Sequence, residues 1–100
     1  MIEDVGEKIG TVYLVHLARP YHHARHYLGW TQDLDVRIGV HRNGGGSPLL
    51  RAASDAGIEW SVVRVWEKVT RKIERYLKDQ RNAPRYCPVC SVKGDAHEVQ

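Results

Sequence analysis

The sequence predicts a small α+β domain, in which a three-stranded antiparallel sheet is flanked by helices in the order β-β-α-α-β-α. Two runs rich in β-branched and aromatic residues, 11–17 and 25–30, predict strands, and the connection between them is too short for a parallel crossover. A third such run, 58–66, follows two helical segments. With 100 residues, of which 42% are hydrophobic and 27% charged, the chain is long enough for one domain with its own core.

The three predicted strands differ in how they end and in how their faces alternate. We expect the first to stop at Pro20, whose ring cannot donate to a ladder, and residues 21–24 to connect it to the second. In the third strand, the even-numbered residues from Trp60 to Trp66 are predicted to share one face. Because valines occupy the other face, we expect this strand to be buried on one side and partly covered on the other.

Capping residues and glycines delimit the first two helices. A helix over 32–42 is predicted to begin after Thr31 as its N-cap and to end at the glycines 44–46. The Ser-Pro pair 47–48 then supplies an N-cap and a first helical residue for a second helix, which Gly57 stops.

The last helix is predicted over 68–81, where apolar residues recur at helical spacing, and Pro84 ends it. We expect residues 1–10 to form a loose lead-in, 11–86 the folded domain, and 87–100 a flexible tail that contains two cysteines. No apolar run approaches the roughly 18 residues of a membrane span, and the acidic start lacks the layout of a signal peptide. A cytoplasmic location is therefore expected.

Four short motifs occur in an order that resembles the GIY-YIG nucleases. Residues 11–13 (TVY) match the first strand motif of that family and residues 27–29 (YLG) match the second, with Thr and Leu where the family name has Gly and Ile. Arg37 matches the arginine of the following helix, and Glu74 matches the single acid of a later helix. Each motif alone is weak, but the ordered set covers residues 11–86.

The resemblance implies a site that cleaves phosphodiesters. Such a site needs a water nucleophile, a group that takes its proton, and positive charge that meets the charge developing on phosphate. Tyr13 would activate the water, with a phenol pKa lowered by nearby cations and the metal, and Tyr27 would orient the water or the phosphate. Arg37 would contact phosphate, His41 would hydrogen-bond a tyrosine or shuttle a proton, and Glu74 would bind one Mg²⁺ or Mn²⁺ ion.

The resemblance also implies DNA as the partner. The basic last helix and the glycine turn at 44–47, whose backbone amides can approach phosphates, would supply the surface. Phosphate contacts carry no sequence information, so we expect selectivity for DNA structure or strand type, or else a targeting protein or a homodimer. The residues expected to contact the nucleic acid are Arg25, Arg42, Lys68, Arg71, Lys78 and Asn82.

Each candidate residue also has an ordinary structural explanation. Tyr13 and Tyr27 are typical of strand cores, and Arg37 is typical of a solvated helix face. Glu74 could pair with the lysine four residues later, and His41 could interact with the carboxyl end of its helix. Two alternatives therefore stay open: a nucleic-acid-binding module without activity, and an interaction protein held together by zinc.

The segment from Cys87 to Cys90 has the two-residue gap of half a zinc site. Zinc needs four nitrogen or sulfur ligands, and His26, the pair 22–23 or His97 could contribute the remainder. No second cysteine pair exists in the sequence, so plain reduced thiols are the alternative.

Overall fold

The computed structural model describes residues 7–90. Residues 1–6 of the expected lead-in and residues 91–100 of the expected tail, including His97, lie outside the described residues. None of the helices in the described part is long and apolar enough to cross a membrane. In chain order, the helices and strands are β1 (Gly10–Tyr21), β2 (Ala24–Thr31), α1 (Leu34–Arg42), α2 (Pro48–Asp55), β3 (Trp60–Val69), α3 (Arg71–Gln80) and α4 (Ala83–Tyr86).

The three strands form one antiparallel sheet in the order β2-β1-β3, which confirms the predicted α+β fold class. Because β1 is central, alternate residues of this strand are buried on opposite faces. Tyr13 and Leu17 belong to a first core on the face of α1 and α2. Val12 and Leu14 belong to a second core on the other face, where Leu77 of α3 also lies.

β1 and β2 form the predicted hairpin, but the hairpin is longer than expected. β1 continues through Pro20 to Tyr21, and only residues 22–23 connect the two strands. The ladder between them is regular up to His16 and shifts register before Tyr21. Pro20 lies within this irregular stretch, where it need not donate a ladder hydrogen bond.

The N-caps of the first two helices differ in how well they were predicted. Ser47 caps α2 as expected, and its Oγ accepts from the N–H of Leu50 at 3.1 Å. In α1, however, Asp33 replaces Thr31 as the N-cap, because the Asp33 carboxylate accepts from a main-chain N–H in the first turn. Thr31 remains in β2, where its Oγ1 accepts from the N–H of Asp33 at 3.1 Å.

α3 is shorter than predicted at both ends. Residues 68–69 belong to β3, and Thr70 caps the helix by accepting from a main-chain N–H of the first turn. Arg81, with φ of 52°, leaves the helical conformation at the carboxyl end. Pro84 does not terminate α3 but lies in the first turn of α4, where its missing N–H costs nothing.

A bulge in β3 moves the second half of this strand to the other face. The partners of Val62 and Arg64 are adjacent residues of β1, so Val63 is the extra residue. Trp60 and Val62 therefore pack in the first core, whereas Trp66 packs in the second. The prediction that the even-numbered residues from Trp60 to Trp66 share a face is wrong, because strict alternation does not survive an inserted residue.

Residues 87–90 belong to the folded domain and not to a flexible tail. Cys87 is fully buried in the second core, and Cys90 packs against that core. The N–H of Cys87 donates to the carbonyl of Ala83 at 3.0 Å, which closes the last turn of α4. The described fold thus continues past Tyr86 to Cys90.

Candidate functional site

The centre of the candidate site is a hydrogen bond between two buried side chains from distant segments. The Tyr13 hydroxyl, on β1, lies 2.8 Å from Nε2 of His41, on α1. Both residues are only 1% exposed. The ring centroid of Tyr27, on β2, lies 6.2 Å from that of Tyr13 and 5.6 Å from that of His41. We call these three residues the aromatic cluster; all three were predicted as catalytic.

The second ring nitrogen of His41 determines the direction of this hydrogen bond. Nδ1 lies 3.3 Å from the carbonyl oxygen of Gly45, which can only accept. Nδ1 therefore carries the proton, and Nε2 accepts from the Tyr13 hydroxyl. Burial lowers the pKa of His41, although the hydrogen bond to Gly45 opposes this, so the imidazole is neutral at neutral pH. His41 lies in the last turn of α1, but its side chain hydrogen-bonds to Tyr13 and to the Gly45 carbonyl.

Two glycines leave the space that the aromatic cluster needs. Gly29 pairs with Tyr13 across the hairpin, and a Cβ at position 29 would collide with the Tyr13 ring. Gly46 has φ of +80°, and a Cβ there would lie 2.7 Å from Cε1 and Nδ1 of His41. The glycine turn, which we expected to approach phosphates, therefore packs against His41 and holds its ring.

Arg37 and Glu74 act on Tyr13 through their charges. Burial is the main effect that raises the pKa of Tyr13. Tyr27 and Glu74 also raise it, whereas the charge of Arg37 lowers it. The Arg37 guanidinium by itself does not lower the phenol pKa below its ordinary value, because desolvation of the phenolate outweighs its attraction. Tyr13 therefore interacts with the other four predicted catalytic residues, by a hydrogen bond to His41, a ring contact with Tyr27 and the charges of Arg37 and Glu74.

Glu74 is largely covered and forms an ion pair. Its Oε2 lies 3.1 Å from Nζ of Lys78, and its side chain is 16% exposed against 53% for Lys78. This is the i,i+4 pair that the sequence allowed. Within residues 7–90, Glu74 belongs to no cluster of three or more potential metal ligands.

A groove adjoins the aromatic cluster at Tyr27. This groove, of about 340 Å³, lies between β2 and the end of α3, and its wall includes Lys78, Arg81 and Asn82. Lys78 and Asn82 were predicted as nucleic-acid contacts, and the structure places both beside Tyr27. Arg81 was missed, although its position three residues after Lys78 on a basic helix was a usable signal.

The other four predicted nucleic-acid contacts do not line this groove. The guanidinium of Arg71 lies over the Trp30 ring, 4.7 Å from its centroid, in a separate groove next to the start of α3. Lys68 is exposed near the end of β3, and Arg25 is half-buried on β2. The predicted surface is therefore divided between several parts of the domain.

Arg42, the remaining predicted contact, has a structural role. Its guanidinium lies 3.7 Å from the centroid of the Trp60 ring and donates to the Trp60 carbonyl at 3.1 Å. We expect Arg42→Ala to lower the free energy of unfolding by about 1 kcal/mol, measured by urea denaturation. Arg51→Ala, at an exposed position, is the control and should change stability by less than about 0.5 kcal/mol. Weaker DNA binding with unchanged stability would instead make Arg42 a phosphate contact.

Four potential metal ligands converge on the face of the second core. His16 and His26 are direct cross-strand partners on β1 and β2, and Cys87 and Cys90 follow α4. One ligand atom of each residue lies within 4.8 Å of all the others. Burial lowers the pKa of His16, and it lowers that of His26 to about 4, so both imidazoles are neutral at neutral pH. We call these residues the His–Cys cluster; it can hold a metal ion.

Sequence reasoning identified three members of this cluster and missed His16. The pair 22–23, considered in its place, forms the hairpin turn and does not belong to the cluster. Strand alternation puts His16 on the same face as Leu14, but its pairing with His26 depends on the hairpin register. That register was not specified by the sequence pattern alone.

No protein-family model, curated protein or solved structure matches this chain.

Proposed function

We propose that this chain is a metal-dependent endonuclease of the GIY-YIG type, which hydrolyses phosphodiester bonds in DNA. The observation that supports this most is the convergence of the aromatic cluster with the charges of Arg37 and Glu74. These residues come from β1, β2, α1 and α3, so no local sequence constraint brings them together. One shared site accounts for all five, where separate explanations would have to account for each.

In this proposal the proton of the attacking water passes to Tyr13 and then to His41. Burial disfavours an isolated phenolate, so Tyr13 can take a proton only while it gives up its own. Nε2 of His41, at 2.8 Å, accepts the phenol proton as the water proton arrives. The imidazolium that forms keeps its Nδ1–H hydrogen bond to Gly45. Little charge therefore accumulates on Tyr13 during the transfer.

Arg37 and Tyr27 would act on the phosphate. The guanidinium of Arg37 is always protonated, and its fork matches two phosphate oxygens, so its attraction grows as negative charge develops. Tyr27 is half-buried and lies between Tyr13 and the groove, where its hydroxyl can orient the phosphate or the water. Both residues thus contribute positioning and electrostatic stabilisation.

Glu74 fits a divalent ion that takes most of its ligands from water and phosphate. Mg²⁺ is commonly bound through one or two carboxylates, and its other ligands are water and phosphate oxygens. Lys78 now pairs with Glu74 and is half-exposed, so it can turn to a phosphate when Glu74 binds an ion. Mg²⁺ or Mn²⁺ would stabilise the negative charge on the leaving oxygen.

The groove beside Tyr27 is the proposed path of the DNA backbone. Lys78, Arg81 and Asn82 can bind phosphates there, but such contacts position DNA without reading its sequence. We therefore propose selectivity for DNA structure or strand type, or targeting by a partner protein or a second copy of the chain. Cys87 and Cys90 are not joined in a disulfide, which fits a reducing compartment such as the cytoplasm.

Nicking of supercoiled plasmid tests the proposal. Wild-type protein should nick with Mg²⁺ or Mn²⁺ and stop when EDTA is added. Arg37→Ala and Glu74→Gln should each reduce the rate by about 100-fold. Arg51→Ala and Asp55→Asn, an exposed ion pair on α2, are matched controls and should keep the wild-type rate. Equal rates for wild type and the site variants, or nicking that persists in EDTA, would disprove the proposal.

A nucleic-acid-binding module without activity is the second candidate. Two observations favour it. Tyr13 is 1% exposed and its pKa is raised, and the Glu74 carboxylate already forms an ion pair with Lys78. In that case the wild-type protein should bind DNA and fail to nick it with either metal. Lys78→Ala and Arg81→Ala should then weaken DNA binding, and the loss should diminish as salt is raised.

A further inference from the structure

The His–Cys cluster includes none of the five proposed catalytic residues and has the chemistry of a metal site. We propose that His16, His26, Cys87 and Cys90 bind one structural Zn²⁺ ion, which ties the segment after α4 to the β1–β2 hairpin. Two imidazoles and two thiolates are a common ligand set for zinc in proteins. The two thiolates balance the charge of the ion, so the complete site is electrically neutral.

Four of the six distances between the ligand atoms are close to those of a zinc tetrahedron. Tetrahedral zinc with ordinary bond lengths places two nitrogen ligands about 3.3 Å apart and a nitrogen and a sulfur about 3.6 Å apart. Nδ1 of His16 and Nε2 of His26 are 3.3 Å apart. Sγ of Cys87 lies 3.4 Å from His16 Nδ1, and Sγ of Cys90 lies 3.6 Å from His26 Nε2 and 3.9 Å from His16 Nδ1. One ion can therefore reach all four atoms.

The fold presents these ligands on regular elements. His16 and His26 face each other across the last regular pair of the β1–β2 ladder, so the backbone fixes their separation. The N–H of Cys87 closes the last turn of α4, and the two residues after it bring Cys90 back toward the strands. Cys87 is fully buried, which excludes water from its side of the site.

A disulfide explains this arrangement less well than zinc does. A disulfide would use only the two sulfurs, and the two imidazole nitrogens, 3.3 Å apart, would then share one hydrogen bond without a role for the cysteines. A Zn²⁺ ion uses all four atoms at once. Four protein ligands also leave no open position for substrate, so the site is structural and not catalytic.

The zinc site would hold one wall of the groove in place. His26 lies next to Tyr27 in sequence, and both residues line the groove together with Ala83 and Pro84 of α4. Residues 81–82 connect α3 to α4. Zinc would therefore position α4 against β2. This role does not depend on the proposed nuclease activity.

Metal analysis of protein purified without chelator tests the proposal. Wild type should contain one zinc per chain, and Cys90→Ser should weaken zinc binding by about 100-fold or more, so that zinc is lost during purification. His23→Asn, in the hairpin turn outside the cluster, is the matched control and should keep full zinc content. Equal zinc contents in wild type and Cys90→Ser, whether full or negligible, would overturn the proposal.

Two further measurements separate loss of zinc from loss of folding. Cys90→His replaces one zinc ligand by another and should restore zinc content, whereas a merely structural cysteine would not be rescued by histidine.

Cobalt added to the apo wild type should give tetrahedral d–d bands and a thiolate-to-cobalt charge-transfer band. The charge-transfer band should weaken in Cys90→His because one sulfur is gone. Absence of this band in wild type would overturn the assignment. Neither readout involves nicking, so a failure of the nuclease proposal would leave this result unaffected.

Discussion

Tyr13→Phe should reduce metal-dependent nicking by about 100-fold to 10,000-fold, the range found when a general acid–base group is removed. Phenylalanine keeps the buried ring in place but removes the hydroxyl that connects the attacking water to His41. Nε2 of His41 then loses its donor at 2.8 Å, and no proton can pass along this route. Initial nicking rates under saturating Mg²⁺ measure the effect.

The control for this variant is Tyr76→Phe. Tyr76 lies on α3 and is 58% exposed, so the same chemical change there should leave the nicking rate and the stability unchanged. Tyr13→Phe should also lower the free energy of unfolding by about 1–3 kcal/mol, because the buried His41 acceptor is left unsatisfied. A stability loss with a wild-type nicking rate would limit Tyr13 to a structural role.

Gly29→Ala should strongly destabilise the hairpin. A Cβ at position 29 would collide with Cζ and the hydroxyl of Tyr13, which is buried and held by its hydrogen bond to His41. The ring cannot move without breaking that bond or overpacking the first core. We expect a loss of about 3 kcal/mol in the free energy of unfolding, measured by urea denaturation.

Gly39→Ala provides a matched control for this prediction. Gly39 lies within α1, and a Cβ at that position meets no atom within 4 Å. Alanine there should stabilise the protein by about 0.5–1 kcal/mol, because glycine is unfavourable inside a helix. If Gly29→Ala were as stable as wild type, the Tyr13 ring would have to be mobile, and the pre-organised geometry of the aromatic cluster would be wrong.

The fold class could be predicted because its signals are local. β-branched runs, the Ser47 N-cap and the breaker glycines each act over a few residues, and each identified its element. The errors also have local causes. Thr31 and Asp33 are both good N-caps, and only the hydrogen bond from the first turn of α1 shows which one is used. The bulge at Val63 has no sequence marker, so strict alternation predicted the wrong face for Trp66.

The candidate site could be predicted only in part. Tyr13, Tyr27, Arg37, His41 and Glu74 were proposed together from their order along the chain, and in the structure the other four each interact with Tyr13, by a hydrogen bond, a ring contact or their charge. The effect of burial on the Tyr13 pKa was not foreseen, because burial is a property of the packed core. The packing of Arg42 on Trp60 was missed for the same reason, since the two residues are far apart in sequence.

By itself, the sequence determined which residues capable of catalysis or metal binding are present and which elements carry them. It specified two strand tyrosines, a helix with Arg37 and His41, a basic helix with Glu74, and a pair of cysteines two residues apart. Only the tertiary structure decided that His41 accepts from Tyr13, that Arg42 packs on Trp60, and that His16 completes the His–Cys cluster. Such contacts join distant parts of the chain, and they depend on strand register and on the exclusion of water, which short-range patterns do not encode.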